Sequence, residues 1–213
     1  MNMRGHFEDE LYNLHIRMRE LADLAVTAVA RAIDALDRGD TELAAQIVAN
    51  DAITDEAQQQ LEQFAVMLIA TQQPVAGDLR RIIEAILVGS ELERIGDYAK
   101  RVAKLINGAP IPAGLHQLGA AALAILEHTL VALDQQDVTA AEAIGHEELT
   151  VDRFYDQARN EIILALASDP DAARRYADLL AVAHAFERIS DRATNIAERI
   201  IFARNGELVE LNP

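Results

Sequence analysis

An internal repeat is the feature of this sequence that most constrains its fold. The pentapeptide Glu-Arg-Ile-Gly-Asp at 93–97 recurs as Glu-Arg-Ile-Ser-Asp at 187–191, an offset of 187 − 93 = 94 residues. A second acidic step, Asp-x-x-x-Asp at 51–55, recurs as Glu-x-x-x-Asp at 148–152, an offset of 148 − 51 = 97 residues. A three-residue deletion in the second copy accounts for the difference. The chain therefore consists of two tandem copies of a unit of just under a hundred residues, and the fold must be built from that unit.

Composition indicates that each unit is helical. Hydrophobic residues make up 51% of the 213 residues, but aromatic residues only 4%, and there are just 5 prolines. Alanine, leucine, glutamate, glutamine and arginine are abundant, and they favour helices most. Apolar residues at three- and four-residue spacing, punctuated by Gly, Pro and Asp, predict six helices. The predicted helices span residues 7–38, 41–71, 79–106, 115–133, 138–167 and 170–205.

Residues at the predicted helix ends are of the types that helix ends favour. Gly39 follows the first helix, where a left-handed residue is expected, and Asp40 can cap the second. Asp78 is the predicted cap of the third helix. Pro170, directly after an aspartate, marks the start of the sixth, and Gly206 marks its end.

A linker divides the six helices into two sets of three. Residues 108–114 read Gly-Ala-Pro-Ile-Pro-Ala-Gly, which favours neither helix nor strand. Strand-like alternation is confined to the short tail at 208–211. The sequence therefore predicts an all-α fold of two tandem three-helix bundles, over residues 1–108 and 115–213.

Charge and cysteine content exclude several functions. The net charge is −16, and only two of the 19 basic residues are lysines. Phosphate backbones require clustered cations, so nucleic acids and anionic membranes are not expected as partners. The absence of cysteine excludes disulfides, thiolate metal sites and a cysteine nucleophile.

No targeting or membrane-spanning segment is predicted. Residues 1–10 are acidic and lack an apolar stretch. The uncharged run at 106–126 is long enough to span a membrane, but two prolines and two glycines interrupt its first half. A cytoplasmic protein without membrane insertion is expected.

The repeated acidic steps predict metal sites. Residues four apart lie on one face of a helix, so each step presents two carboxylates together. If neighbouring helices pack side by side, four carboxylates meet. All-oxygen sets suit magnesium, or iron, manganese or zinc where carboxylates bridge ions. The alternative is that these are solvated helix faces neutralised by arginines. The predicted metal ligands are Asp51, Asp55, Glu93 and Asp97 in the first copy, and Glu148, Asp152, Glu187 and Asp191 in the second.

The second quartet is expected to be the stronger cation site. Asn195 and Glu198 continue its helix face, and His184 lies one turn before Glu187. The first copy has Arg101 and Lys104 at the positions of Asn195 and Glu198. The second groove therefore carries more negative charge.

Other chemistry is not indicated. No glutamate has a histidine three residues later, as ferritin-like di-iron sites require. The 6 histidines are dispersed, and glycine-rich phosphate loops and nucleophile elbows are missing from the sequence. No active site is predicted, and the chain is not expected to be an enzyme.

Several motifs closely resemble the PhoU family. These are the doubled Glu-Arg-Ile-(Gly/Ser)-Asp, the step Pro-Val-Ala-Gly-Asp-Leu-Arg at 74–80, Asn-Ile-Ala-Glu at 195–198 and the opening Phe-Glu-Asp-Glu-Leu at 7–11. The resemblance covers essentially the whole chain. It implies two three-helix bundles, often dimeric, and metal ions (iron or zinc clusters in some members) on the eight carboxylates named above. Ser190, where glycine is usual, is a small departure.

What the resemblance implies for function is regulation. PhoU-like proteins are negative regulators of phosphate uptake and the phosphate-starvation response, connecting the ATPase subunit of a Pst transporter to a sensor histidine kinase. The residues alone indicate a helical adaptor, whose exposed faces can dock partners. Two alternatives stay open: a carboxylate-based metal-storage or metal-handling protein, and a structural helical module that binds no metal.

Overall fold

Six long helices account for most of the chain in the computed structural model, which describes residues 3–106 and 111–211. The described residues contain no strand, and the tail at 208–211 is irregular rather than extended into a sheet. The predicted all-α fold is confirmed. The helices are α1 (Met3–Arg38), α2 (Thr41–Gln72), α3 (Ala76–Leu105), α4 (Ala113–Gln135), α5 (Val138–Ser168) and α6 (Ala173–Asn205).

Helix capping follows the sequence at most ends. Gly39 has a φ of 62°, which only glycine adopts without strain, and it reverses the chain after α1. The Asp40 carboxylate then accepts hydrogen bonds from the backbone N–H groups of Glu42 and Leu43, at 3.0 and 2.9 Å. Asp137 caps α5 in the same way. The first and second bundles therefore begin their middle helices with the same device.

The start signals predicted for α3 and α6 lie a few residues away from the observed helix starts. Helix α3 begins at Ala76, capped by the backbone of Val75, so Asp78 lies in the first turn and is not the cap. An acidic residue there still complements the helix dipole. Residues Pro170–Ala172 form a 3-10 turn, and α6 starts only after it, at Ala173. Proline was correctly identified as a start signal, but the first turn that it opens is tighter than an α-helix.

The division into two domains stays a prediction, because residues 107–110 lie outside the described part of the chain. Helix α3 ends at Leu105, one residue before the predicted end at 106, and residues 108–110 of the predicted linker fall outside the described residues. The next helix, α4, begins two residues earlier than predicted, at Ala113.

Helix packing places α3 and α6 at the centre of the molecule. Helix α3 contacts α1, α2 and α6, and α6 contacts α3, α4 and α5. Contacts between α1 and α4 join the two bundles a second time. Leu92, Ile95 and Ala99 of α3 and Ile189, Ala193 and Ile196 of α6 are fully buried between these neighbours. The two central helices are also the ones that carry the repeated pentapeptide.

Helix α4 is apolar because it supplies core. By length and hydropathy it is the one helix in the described residues that could cross a membrane. Its Leu115, Leu118, Ile125 and Leu126 are buried against α5, α6 and α1. The interrupted run seen in the sequence is thus a linker followed by a core helix.

Candidate metal-binding grooves

The packing of α2 on α3, and of α5 on α6, brings the repeated acidic steps together in pairs. We call the α2–α3 surface with Asp51, Asp55, Glu93 and Asp97 the first groove. The α5–α6 surface with Glu148, Asp152, Glu187 and Asp191 is the second groove. Each groove therefore has two carboxylates from each of its helices, as the sequence predicts.

A small residue inside the pentapeptide allows the two helices to approach. A Cβ added at Gly96 would lie only 3.2 Å from the Thr54 Cγ2 atom of α2, tighter than an ordinary contact. Ser190 takes the equivalent place in the second copy and is buried. The motif thus sets how closely the carboxylates of neighbouring helices face each other.

Lys100 lies inside the first groove. Its Nζ donates to Asp51 Oδ2 on α2 at 2.5 Å and to Asp97 Oδ1 on α3 at 3.0 Å. Both are charge-assisted hydrogen bonds, the strong kind. Hydrogen bonding to Asp51, and then to Asp97, raises the pKa of Lys100. One ammonium group therefore bridges the two helices.

The remaining carboxylates of the first groove repel one another. Loss of hydration, and then the charge of Asp51, raises the pKa of Asp55 above its usual value. Loss of hydration, and then the charges of Asp97 and Asp55, raises the pKa of Glu93. The four side chains are close enough to form one electrostatic unit.

The second groove repeats this geometry with a different residue in the bridging position. Thr194, which is 100 + 94 = 194 in the repeat, donates its hydroxyl to Glu148 Oε2 at 2.7 Å. Glu148 is the equivalent of Asp51 and is buried, with 2% of its surface exposed. A neutral hydroxyl thus replaces the ammonium, and the longer glutamate compensates for the shorter threonine.

Charge repulsion is also present in the second groove. Loss of hydration, followed by the charges of Asp191 and Asp156, raises the pKa of Asp152. The pKa of Glu187 is raised by loss of hydration and then by Asp191. Glu187 Oε2 is buried and accepts no hydrogen bond, although the Nδ1 atom of His184 lies 3.0 Å away.

Arg188 is the positive charge closest to the second quartet. It pairs with Asp191 on the same helix and also hydrogen-bonds Tyr98 of α3. The guanidinium is therefore held at the α3–α6 interface, where Arg192 and Glu91 make a further ion pair at 3.1 Å. Among the described residues, the ion pair of Arg188 is with a carboxylate of its own helix, whereas Lys100 bridges two helices.

The C-terminal segment covers one end of the second groove. A cavity of about 420 Å³ lies there. Its lining includes Glu148, Asp191, Asn195 and Glu198, the side chains of Arg192 and Arg199, and residues 208–210 of the tail. The backbone N–H of Leu211 donates to Glu198 Oε1 at 3.0 Å. Leu211 also packs on α5, where a Cβ on Gly145 would lie 3.0 Å from its carbonyl oxygen. Asn195 and Glu198 do share the groove, as predicted.

The two grooves differ in how well they suit a metal ion. Within residues 3–106 and 111–211, no three His, Cys, Asp or Glu side chains stand together in a metal-holding arrangement. In the first groove Lys100 already holds Asp51 and Asp97, so this set does not fit a metal ion as it stands. The second groove has no lysine at the equivalent position and offers carboxylate oxygens, the ligand type that hard cations take, although Arg192 and Arg199 line the same cavity as Glu148 and Asp191. Metal binding there stays a prediction.

Sequence reasoning missed two features. Lys100 and Thr194 stand at equivalent repeat positions beside the acidic steps, and aligning the two copies could have identified them. Glu84 is a buried carboxyl group of α3 whose pKa burial raises to about 7, although Gln136 donates a hydrogen bond to it at 3.0 Å. It lines a cavity of about 270 Å³ with His15 and Asp134, apart from both grooves.

Comparison with known proteins gives a consistent result. The family model described as the PhoU domain matches residues 18–106 and 115–200. A phosphate-specific transport system accessory protein PhoU homolog of Rhizobium meliloti (strain 1021) is 34% identical, over 94% of this chain and 87% of the relative. The homolog of the same name from Streptococcus pneumoniae serotype 4 (strain ATCC BAA-334 / TIGR4) is 31% identical, over 99% of this chain and 100% of the relative.

Solved structures agree with the fold. The crystal structure of the phosphate transport system regulatory protein PhoU from Streptococcus pneumoniae superposes with a TM-score of 0.89 at 29% identity, covering 96% of this chain and 99% of that one. The crystal structure of PhoU from Pseudomonas aeruginosa gives a TM-score of 0.88 at 30% identity, covering 94% and 100%. The likeness therefore extends over both repeats.

Proposed function

The chain belongs to the PhoU family, and on that premise we propose that it is a negative regulator of phosphate uptake and phosphate-starvation signalling. The observation that carries this proposal is similarity over the full length to accessory proteins of phosphate transport, 31% over 99% of the chain. In this role the protein is an adaptor and not an enzyme. Its proposed partners are the ATPase subunit of a Pst transporter and a phosphate-sensing histidine kinase.

The surface of the described helices supports a docking role. Arg94, Arg101 and Lys104 of α3 are exposed and make no ion pair with other residues in the described part of the chain, and with Tyr98 they line a depression of about 320 Å³. A basic stripe of this kind on a chain of net charge −16 offers a distinct contact for an acidic surface of a partner. Exposed helix faces suit broad contacts of modest affinity.

We propose that the second groove binds a hard cation such as magnesium, manganese or iron, and zinc is a further candidate. Glu148 and Asp152 from α5 and Glu187 and Asp191 from α6 would hold it. The bound ion would supply positive charge that relieves the repulsion among these carboxylates. The chain itself fixes the spacing of α5 and α6 through the Thr194–Glu148 hydrogen bond.

We further propose a cytoplasmic homodimer. Exposed apolar pairs support self-association, since they recur at equivalent positions of the two outer helices. Val66 and Met67 of α2 are 53% and 39% exposed, and Ile163 and Leu164 of α5 are 43% and 69% exposed. Apolar pairs on both outer edges of a molecule suit a contact between copies better than contact with water.

The regulatory role is tested by alkaline phosphatase activity in phosphate-replete medium, in the source organism with the gene deleted and restored. Deletion should raise the activity and restoration should silence it. Co-purification of the restored, tagged chain with the ATPase subunit and the kinase tests the adaptor role separately. Unchanged activity after deletion, with no co-purifying partner, would refute the proposal.

A further inference from the structure

The Lys100 ammonium group stands where a shared metal ion would have to bind in the first groove. It bonds Asp51 on α2 at 2.5 Å and Asp97 on α3 at 3.0 Å, so it contributes one positive charge between the two helices. A divalent ion held by the same quartet would need these two carboxylates. It would also have to approach an ammonium group at contact distance, where like charges repel strongly.

We infer that Lys100 is a built-in cation of the first groove, and that this quartet excludes metal ions while Lys100 is present. This inference rests on one part of the proposed function, namely that such carboxylate quartets attract metal ions. It assigns the two repeats different roles. The first groove holds its own cation between α2 and α3, whereas the second has a neutral hydroxyl at the equivalent position.

The neighbours of Lys100 oppose its leaving the groove. Outside the quartet, the α3 surface around it carries Arg94, Arg101 and Lys104, none of which has an ion pair in the described residues. An ammonium group that swung outward would join three positive charges and lose two charge-assisted hydrogen bonds. The side chain of Lys100 is only 25% exposed, so the inward position is also the packed one. Metal entry by simple displacement of Lys100 is therefore disfavoured.

The second repeat shows what the groove is like without the lysine. Thr194 keeps the hydrogen bond to the first carboxylate of the quartet but brings no charge. The two further basic residues are also replaced, since Asn195 and Glu198 stand at the positions of Arg101 and Lys104. The positive charges of Lys100, Arg101 and Lys104 thus have no counterparts at these positions of the second repeat, which instead carries Arg192 and Arg199 at the places of Tyr98 and Leu105.

Equilibrium dialysis against Mn²⁺ alone, with elemental analysis of the purified full-length protein, tests the inference. Glu93→Gln and Glu187→Gln are matched variants, because the two glutamates are repeat equivalents and neither bonds the bridging residue. Wild type and Glu93→Gln should bind the same amount of Mn²⁺. Lys100→Thr, which installs the residue of the second repeat, should gain a site whose affinity is at least about tenfold above that of the wild-type first groove. Adding Glu93→Gln to Lys100→Thr should remove that gain.

Two results would overturn the inference: loss of Mn²⁺ from Glu93→Gln in an otherwise wild-type chain, or no gain in Lys100→Thr. If Lys100→Thr fails to fold, Lys100→Gln removes the charge while keeping most of the side chain. Arg101→Thr is the control for a general loss of positive charge and should gain no site. Alkaline phosphatase regulation is a separate readout, so failure of the regulatory proposal and failure of this inference are distinguishable.

Discussion

The first and second grooves share a geometry and differ in charge. In both, the residue seven positions after the motif glutamate hydrogen-bonds the first carboxylate of the neighbouring helix, Lys100 to Asp51 and Thr194 to Glu148. The first pair brings a positive charge into the quartet, and the second brings a neutral hydroxyl. Duplication thus preserved the contact that fixes the helices while the electrostatics of the two grooves diverged.

This difference shows why equal motifs do not imply equal sites. Both pentapeptides place their carboxylates in a groove, and in both the pKa values of the motif glutamates are raised. What each quartet can bind depends on one side chain outside the motif. The following predictions test that dependence, from the largest expected effect to the smallest.

Metal should stabilise the chain through the second groove. At a Mn²⁺ concentration about a hundred times the dissociation constant, the free energy of unfolding of wild type should rise by about 2.7 kcal/mol. Glu187→Gln should lose most of this gain, and Glu93→Gln should keep it. Chemical denaturation with Mn²⁺ or with a chelator measures both. Equal losses in the two variants would mean that both grooves bind metal.

Lys100 should stabilise the first groove without metal. Lys100→Met removes two charge-assisted hydrogen bonds and leaves Asp51, which is mostly buried, without its cation. We expect the free energy of unfolding in chelator to fall by about 2 kcal/mol. Lys104→Met, on the exposed face of the same helix, is the matched control and should change it by no more than about 0.5 kcal/mol. Similar values for the two variants would contradict a special role for Lys100.

The motif glutamates should make the metal-free protein less stable as pH rises. Because the folded-state pKa of Glu187 is raised above its usual value of 4.5, the folded state binds more protons than the unfolded state just above that pH. Stability present at lower pH is therefore lost as pH rises through the folded-state pKa. Glu187→Gln should flatten the pH dependence, and so should Glu93→Gln, whose pKa shifts in the same direction. A steeper profile in either variant would contradict the assigned direction.

The smallest effect concerns the C-terminal segment, which only the second groove has. Gly145→Val installs the residue that the first repeat carries at the equivalent position, Val48, and its side chain would collide with Leu211. The free energy of unfolding should change by less than about 1 kcal/mol, because the loss of this packing is offset by the poor helix propensity of glycine. Hydrogen exchange of the Leu211 amide should accelerate. Unchanged exchange would show that Leu211 is held by Glu198 alone.

Much of the fold could be predicted from the sequence, because the repeat and the helix ends leave strong local signals. Gly39 and Asp40 set the first turn by backbone conformation and capping, which neighbouring residues determine. Asp78 was misassigned as a cap because Pro74 and Gly77 suggested a later start, whereas the helix begins on the backbone of Val75. Helix starts without a side-chain cap leave little trace in a sequence.

The carboxylates that make up the two quartets were also predictable from the sequence. Which positively charged side chain lies among them was not. Four-residue spacing places two carboxylates on one helix face, and that is a local property. Whether Lys100 points into the quartet or into solvent depends on how α3 packs on α2. The contact of Arg188 with Tyr98 depends on how the two bundles pack, which spacing along one helix does not reveal.

The measurement that tests the asymmetry of the two grooves most directly is a crystal structure of the wild-type chain with Mn²⁺, using its anomalous scattering. The predicted result is a peak in the second groove between α5 and α6, with the Lys100 ammonium still between Asp51 and Asp97. A manganese peak in the first groove, with Lys100 displaced toward solvent, would contradict the account.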